Sequence, residues 1–470
     1  MTGTAEPMLA DQEIPVKPRG PTSKKGQLMA TISVSLIAWS AGTTLSWSSP
    51  CLAELEDANS TTAIHISQEE ASWVGSLIAI GALLSAIPAG YCADKFGRKN
   101  SLLAITIPFT ISWAFIIKAS AVWMLYLGRL LAGVGTGAAC VLTPMYIAEI
   151  TEDSVRGPLC SFFALFLCSG IVFTFVIATF AKFVLLSSIL AIVPMVFCVS
   201  FFFMPESPFY LLKTNRDKEA GKSLKFFRGK HADIVGELAD MKRDIETSPE
   251  EKASLKEILC NRHYRRCLIA CIVLFLFQQL SGINAVIFYT VPIFKASKSE
   301  MDPIVASILV SFIQVFVTVL VIFIIDKQGR RSYMLQSSVV NCISLAFLAM
   351  YFHLRSLHIS FIGLDLVPLT SLMIFIFSFS IGMGPLPWVI LGELLSPEII
   401  GTVSGIAVMM NWFTGFVVTK SFGPMMLTLG AFVTFYIFAA FNALCLLCVY
   451  LFVPETRGRS QYEIQTQWKG

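Results

Sequence analysis

Hydrophobic residues make up 55% of the 470 and charged residues only 14%, with a mean hydropathy of +0.71. Soluble domains carry about 25% charged residues, so this chain lacks the polar surface needed to face water all round. Lys and Arg number 35 against 31 Asp and Glu, a balance that names no nucleic-acid or acidic partner and makes the placement of charge more telling than its sum.

Residues 1–26 are polar and carry Lys17, Arg19, Lys24 and Lys25. No small-residue cleavage site follows, which predicts a cytosolic tail and a retained first helix rather than a removed signal peptide. Crossing about 30 Å of hydrocarbon takes about 20 apolar helical residues. Runs of that size occur near 27–49, 73–93, 101–120, 122–146, 158–180, 184–204, 267–292, 304–325, 333–353, 366–391, 402–426 and 431–453. The expected fold is an all-α membrane protein of twelve transmembrane helices. Its two six-helix halves, 27–204 and 267–453, flank a cytosolic helical link (205–266), and a cytosolic tail (454–470) follows. Gly and Pro interrupt several runs, which membrane helices tolerate when neighbours re-satisfy the freed backbone groups.

Orientation follows from Lys and Arg in the short connections. Asp94–Lys99 follows the second run, and Asp326–Arg331 follows the eighth. Both are basic and share a side with the N-terminal tail and the link, so that side is expected to be cytosolic. The first external loop, 50–72, has Glu54, Glu56, Asp57, Glu69 and Glu70 but no Lys or Arg, and holds the glycosylation tripeptide Asn59-Ser60-Thr61. Charged residues between 213 and 266 recur at amphipathic-helix spacing. We weigh two readings of this link, a solvated spacer and a collar bracing the halves, and favour the spacer. The twelve cysteines fall almost entirely inside apolar runs, with only Cys51 in the predicted external loop. Neither a disulfide framework nor a metal site is expected.

The halves repeat one another. Asp94–Lys99 is echoed by Asp326–Arg331, Glu149 with Gly157 by Glu393 with Gly401, and Pro205-Glu206-Ser207-Pro208 by Pro454-Glu455-Thr456. Two repeated bundles joined by a long link suit a carrier that rocks about a site at the membrane midplane.

These motifs resemble the sugar porter family of the major facilitator superfamily across essentially the whole chain after residue 26. Further matches are Gly128-Arg129, Pro144, Tyr146, Arg156-Gly157, Gln278–Asn284, Gly384–Trp388 and Asn411-Trp412. Within the family, Phe277–Lys295 and Asn411–Phe422 look most similar to insect facilitative trehalose and glucose transporters.

A sugar site needs amides and hydroxyls that donate and accept, with an aromatic face against the ring. Gln278, Gln279 and Asn284 lie in one otherwise apolar run, around Ser281-Gly282 where a helix can break. A buried amide is costly unless partnered. The other reading is hydrogen bonding between helices; three amides around a break favour a ligand. The resemblance implies that these residues bind sugar hydroxyls, joined by Gln314, where the family usually has asparagine, and by Trp388 and Trp412 as aromatic wall and floor. Asn411 is divided evenly between ligand contact and packing. Three positions depart from the pattern, with Ala164, Ser380 and Gly415 standing for glutamine, glutamate and asparagine. Each is shorter, so the cavity is expected to be roomier and to admit trehalose as well as a glucose-type hexose.

Intramembrane carboxylates mark proton relays. The first run has none, where proton-coupled members of the family carry aspartate, so a uniporter is expected; a proton-coupled symporter is the alternative. The resemblance also implies cytosolic gate bridges among Arg98, Glu149 and Arg156, and between Arg330 and Glu393. Phe209 and Ile400 replace arginines of the pattern, so the latch should be weak and the resting state biased toward inward-open. No catalytic constellation and no cofactor motif is present. A non-transporting sensor on this scaffold is the competing class, disfavoured by the short tail. The expected partners are a small neutral sugar and the lipid bilayer, with a monomer as the working unit in the plasma membrane.

Overall fold

Twelve helices long and apolar enough to cross a membrane form the body of the computed structural model, which describes residues 22–457 except 58, 59, 61, 63, 230, 248–252, 298–300, 325, 326, 360–362 and 397. The glycosylation candidate Asn59 therefore lies outside the described residues. In order, the spans are Lys25–Leu55, Gln68–Phe96, Arg98–Ile117, Val122–Ile150, Asp153–Ala178, Phe183–Phe202, Arg262–Ser297, Pro303–Ile324, Arg330–Ser356, Leu364–Leu394, Ile400–Thr428 and Ala431–Phe452.

Each predicted run becomes one span, and the ends move for physical reasons. The first helix passes through Pro50 to Leu55, so Cys51, expected in an external loop, is helical and buried. Leu52 and Leu55 are also fully buried there, and their burial, about 2 kcal/mol each, outweighs the one backbone bond that Pro50 removes. The second helix starts on a capping box, in which Ser67 and Glu70 satisfy each other's backbone N–H groups.

The halves meet along three seams: the first span with the second part of the seventh, the second with the eleventh, and the fifth with the eighth. Within the first half, a Cβ on Gly81 or Gly133 would strike backbone of the fourth and second spans respectively. Small residues let these two helices approach backbone to backbone.

The link carries the helices Pro208–Lys213, Asp217–Arg228, Ile234–Thr247 and Leu255–Cys260. It is not a solvated spacer. Leu224 and Phe227 are fully buried, and Tyr210, Leu211, Leu212 and Ala220 pack with Leu238, Met241 and Ile245. Arg228, 3% exposed, bonds Glu237 at 2.7 Å and the Ile150 carbonyl at 2.7 Å. Glu152 takes Lys24 at 2.7 Å and Gln27 at 2.8 Å, strapping the start of the first span to the same region. Just before the last link helix the link reaches the second half, where the Ala253 N–H donates to the Glu398 carbonyl at 3.1 Å. We call the membrane face beside these helices the link face and the opposite one the far face.

Candidate functional site

Two broken spans shape the centre of the molecule. The seventh stops at Leu280 and restarts at Ile283, with Gly282 at φ +92°. The tenth stops at Ile381 and restarts at Leu386. Left-handed backbone is cheap only for glycine, so Gly282 fixes the first break. Each break frees backbone groups that hydrocarbon cannot satisfy.

Side-chain amides satisfy some of them. Gln278 Nε2 donates to the carbonyls of Met383 and Gly384 at 3.0 and 2.7 Å, within the break of the tenth span. Asn411 Nδ2 donates to Gln278 Oε1 at 2.7 Å, Gln279 Nε2 to Asn411 Oδ1 at 3.0 Å, and Asn284 Nδ2 to Gln279 Oε1 at 2.6 Å. Four predicted site residues thus form one chain of amides across the seventh and eleventh spans. Gln278, Gln279 and Asn411 are buried and Asn284 is half-buried. A sugar hydroxyl can replace any link of such a chain, because it donates and accepts like the amide it displaces. Gly415 faces this chain. A Cβ there would stand in contact with the amides, 3.4 Å from Asn284 Nδ2 and 3.5 Å from Gln279 Oε1, so glycine keeps a side chain off both.

The remaining predicted residues spread around this centre. Gln314 is buried on the eighth span, outside the amide chain. Trp388 is 42% exposed, with its ring edge-on to Phe275 at 4.7 Å. Trp412 is 8% exposed and packs on Ala79 and Ala82 of the second span, on the seam between the halves. Ala164 is exposed and Ser380 is buried. Cβ positions at Gly90, Gly157, Gly363, Gly392, Gly401 and Gly405 meet nothing within 4 Å, so these positions border open space.

The far face is shut. One apolar cluster joins Trp47, Leu52, Val74 and Ile78 of the first half to Phe288, Tyr289, Ile293 and Phe294 of the second. Across it, the Val291 N–H donates to Ser49 Oγ at 2.9 Å and Lys295 Nζ to the Ala53 carbonyl at 3.2 Å. Lys420 Nζ donates to Ser72 Oγ at 2.6 Å and lies 4.2 Å from the Trp73 ring centroid.

At the link face the repeat becomes a pair of matching clasps. Arg98, 4% exposed, holds Glu149 by contacts of 2.8, 2.9 and 3.0 Å. Ser207 Oγ donates to the same carboxylate, and Glu206 accepts the Lys99 N–H at 3.0 Å. In the second half Arg330 meets Glu393 at 3.4 Å, Thr456 donates to Glu393 at 2.6 Å, and Glu455 accepts the Arg330 N–H at 2.8 Å. A Cβ on Gly97 would strike Glu206, as one on Gly329 would strike Glu455. Burial pushes the Glu206 carboxyl up, against backbone N–H groups that pull it down. Arg156 stands apart from Glu149 and pairs with Asp153 of its own helix at 2.8 Å. The Arg330–Glu393 contact, at 3.4 Å, is longer than the 2.8 Å of Arg98–Glu149, and since Arg156 takes no part in the first clasp, the absence of a cation at Ile400 does not account for the difference.

Sequence reasoning noted Arg129 within a motif but gave it no role. It is fully buried in the fourth span. Nε donates to the Val74 carbonyl at 3.0 Å, Nη1 to the Thr44 carbonyl at 2.6 Å, and the guanidinium lies 5.2 Å from the Trp47 ring centroid. Among the described residues it has no carboxylate partner. The signal was available, since a charge inside an apolar run marks a functional position by default.

Comparison with known proteins agrees with this architecture. The family described as Sugar (and other) transporter matches residues 28–468. The facilitated trehalose transporter Tret1 of Apis mellifera ligustica is 36% identical over 454 residues, 96% of this chain and 90% of that protein. Its namesake in Polypedilum vanderplanki is 34% identical over 446 residues, 94% of this chain and 88% of its own. In fold, the partially occluded inward-open xylose transporter XylE from E. coli superposes with a TM-score of 0.79 at 22% identity, over 93% of this chain and 100% of that one. The chain belongs to the sugar transporter family of the major facilitator superfamily, and is a multi-pass sugar carrier of the plasma membrane rather than an enzyme.

Proposed function

We propose that the chain is a uniporter for a glucose-type hexose and for the disaccharide trehalose, working by alternating access as a monomer with the link and both tails cytosolic. Gln278, Gln279, Asn284, Gln314 and Asn411 bind the sugar hydroxyls, and Trp388 and Trp412 supply the aromatic faces. The observation that carries this reading is the chain of four amides, a polar strip that Gly415 leaves uncovered by any side chain of its own. Relatives named as facilitated trehalose transporters favour the larger sugar. For uniport, the support is Arg129. Its charge is met by carbonyls and an aromatic face, so no acid there is available to load and unload a proton.

With the far face closed by contacts between the halves, the arrangement corresponds to an inward-open state. Arg98 with Glu149 and Arg330 with Glu393 are each joined within one half in this state, so they act at the cytosolic gate by holding each half together as it rocks, with Arg156, paired to Asp153, in the first of them. Asn59 serves as the glycosylation site on the external loop.

Gly415→Asn tests the reading of the cavity. The added side chain must enter the space beside Gln279 and Asn284 and brings an amide with it. Trehalose uptake should fall at least tenfold, while the glucose KM drops a few-fold, as one extra hydrogen bond of about 1 kcal/mol implies. Equal loss of both sugars would remove the roomy-cavity argument.

A further inference from the structure

Two buried asparagines belong to neither the amide chain nor the gates. Asn341, on the ninth span, is fully buried, and among the described residues neither its Nδ2 nor its Oδ1 has a partner. Asn442, on the twelfth span, is 1% exposed and its Oδ1 is likewise unpartnered. Native interiors rarely leave amides bare, because burial strips their water without replacing its hydrogen bonds.

These residues lie at the same level of two adjacent helices. The ninth and twelfth spans run antiparallel, with Ser338 Oγ 3.5 Å from Cys445 Sγ and Phe352 stacked on Phe435 at 5.6 Å. The register between those two contacts sets Asn341 opposite Asn442. The three bare groups are two acceptors and one amide donor, the complement of a water that donates twice and accepts once.

The donor end of Asn442 is occupied. Nδ2 donates to its own helix at the Phe438 carbonyl, 2.8 Å, and to the Ser281 carbonyl at 3.2 Å. Ser281 is the residue at which the seventh span breaks, and Gly282 beside it is in the left-handed region, which ends the helical ladder that would have paired that carbonyl. One turn before Asn442, Phe438 lies 3.1 Å from where a Gly282 Cβ would stand. The twelfth span therefore props the break from behind. Gln279 stands two residues before Ser281-Gly282 and Asn284 two residues after it, so the shape of the break sets the 2.6 Å contact between them.

We propose that Asn442, backed by Asn341 through a buried water, is a positioning residue that fixes the Ser281-Gly282 break and thereby aims the sugar-binding amides without touching the sugar. This rests on the reading of Gln279 and Asn284 as sugar contacts. The pair also makes a small hydration site inside the second half, separate from the sugar cavity.

The test uses the full-length carrier in proteoliposomes. Asn442→Leu conserves volume but cannot donate to Ser281, and should raise the glucose KM at least tenfold while the maximal rate changes less than threefold. Hydrogen exchange of the backbone amides at 283–286 should speed at least tenfold in the same variant. Asn341→Leu removes only the backing and should raise KM about threefold. If Asn442→Leu fails to fold, Asn442→Ser, small enough to admit a second water to Ser281, takes its place with a smaller KM rise expected. A KM within twofold of the wild type together with unchanged exchange would overturn the proposal. So would a fall in maximal rate and thermal stability with no change in KM, the mark of a purely structural role. Gln279→Leu separates the two layers. A KM unmoved by that substitution sinks the sugar-site reading and this proposal together, whereas a large effect there with none at Asn442 sinks this proposal alone.

Discussion

Replacing Gln279 with leucine should raise the sugar KM roughly 100-fold, the largest effect expected of a single substitution at the site. Gln279 is the middle of the amide chain, donating to Asn411 and accepting from Asn284. When a hydroxyl displaces those partners, the amide makes two hydrogen bonds to sugar at about 1 to 1.5 kcal/mol each. Losing both costs about 3 kcal/mol, and each 1.4 kcal/mol is about tenfold. Leucine also leaves Asn284 Nδ2 and Asn411 Oδ1 bare in the empty carrier, so the variant should melt at a lower temperature without sugar. Initial uptake rates over a concentration series provide the check, normalised to protein in the membrane. A KM within threefold of the wild type would mean that the amides only bond helices to each other.

The second large effect concerns the far face. Lys420→Met removes the donor to Ser72 and the cation over Trp73, two contacts that cross the seam between the halves. A cation over tryptophan contributes about 0.5 to 2 kcal/mol, and a charged hydrogen bond about 1.5 to 3 kcal/mol. Because the lysine regains water when the seam opens, the net bias is nearer 2 kcal/mol. That corresponds to a roughly 30-fold shift toward the outward-open state. Distances between spin labels on the far-face ends of the second and eleventh spans should show a longer population in the variant. Trp73→Ala should reproduce part of the shift, and the double variant should be less than additive, because both substitutions break one contact. An unchanged distance distribution in Lys420→Met would show that apolar packing alone closes this face.

Much of this molecule is legible in the sequence because the bilayer imposes a strong rule on composition. Twelve apolar runs became twelve spans, since a helix is the one local structure that satisfies every backbone group in hydrocarbon. The repeated motifs were equally legible, and the clasps give them a physical reason. Gly97 and Gly329 make room for Glu206 and Glu455, which hold the backbone of the next helix. Other features depend on contacts between distant segments, which periodicity does not encode. That Gln278 would serve the broken backbone of the tenth span could not be read from its place in the seventh. The packing of the Trp412 ring on Ala79 and Ala82 of the second span, at the seam between the halves, follows from how the eleventh helix is turned about its axis and is not encoded by its neighbours in sequence. In the link, charges at helical spacing suggested a solvated segment. The residues that decided otherwise were Leu224 and Phe227, whose apolar face is covered only once the first half is folded. Arg129 was overlooked because attention went to missing acids rather than to a fully buried base inside an apolar span.

Uptake of trehalose and of glucose by proteoliposomes containing only this protein, with and without an inward proton gradient, tests the central claim most directly. The account predicts that both sugars enter and equilibrate, with initial rates that agree within twofold whether or not the gradient is present. Uptake that needs the gradient, or that brings protons in with the sugar, would contradict it, as would vesicles that admit neither sugar.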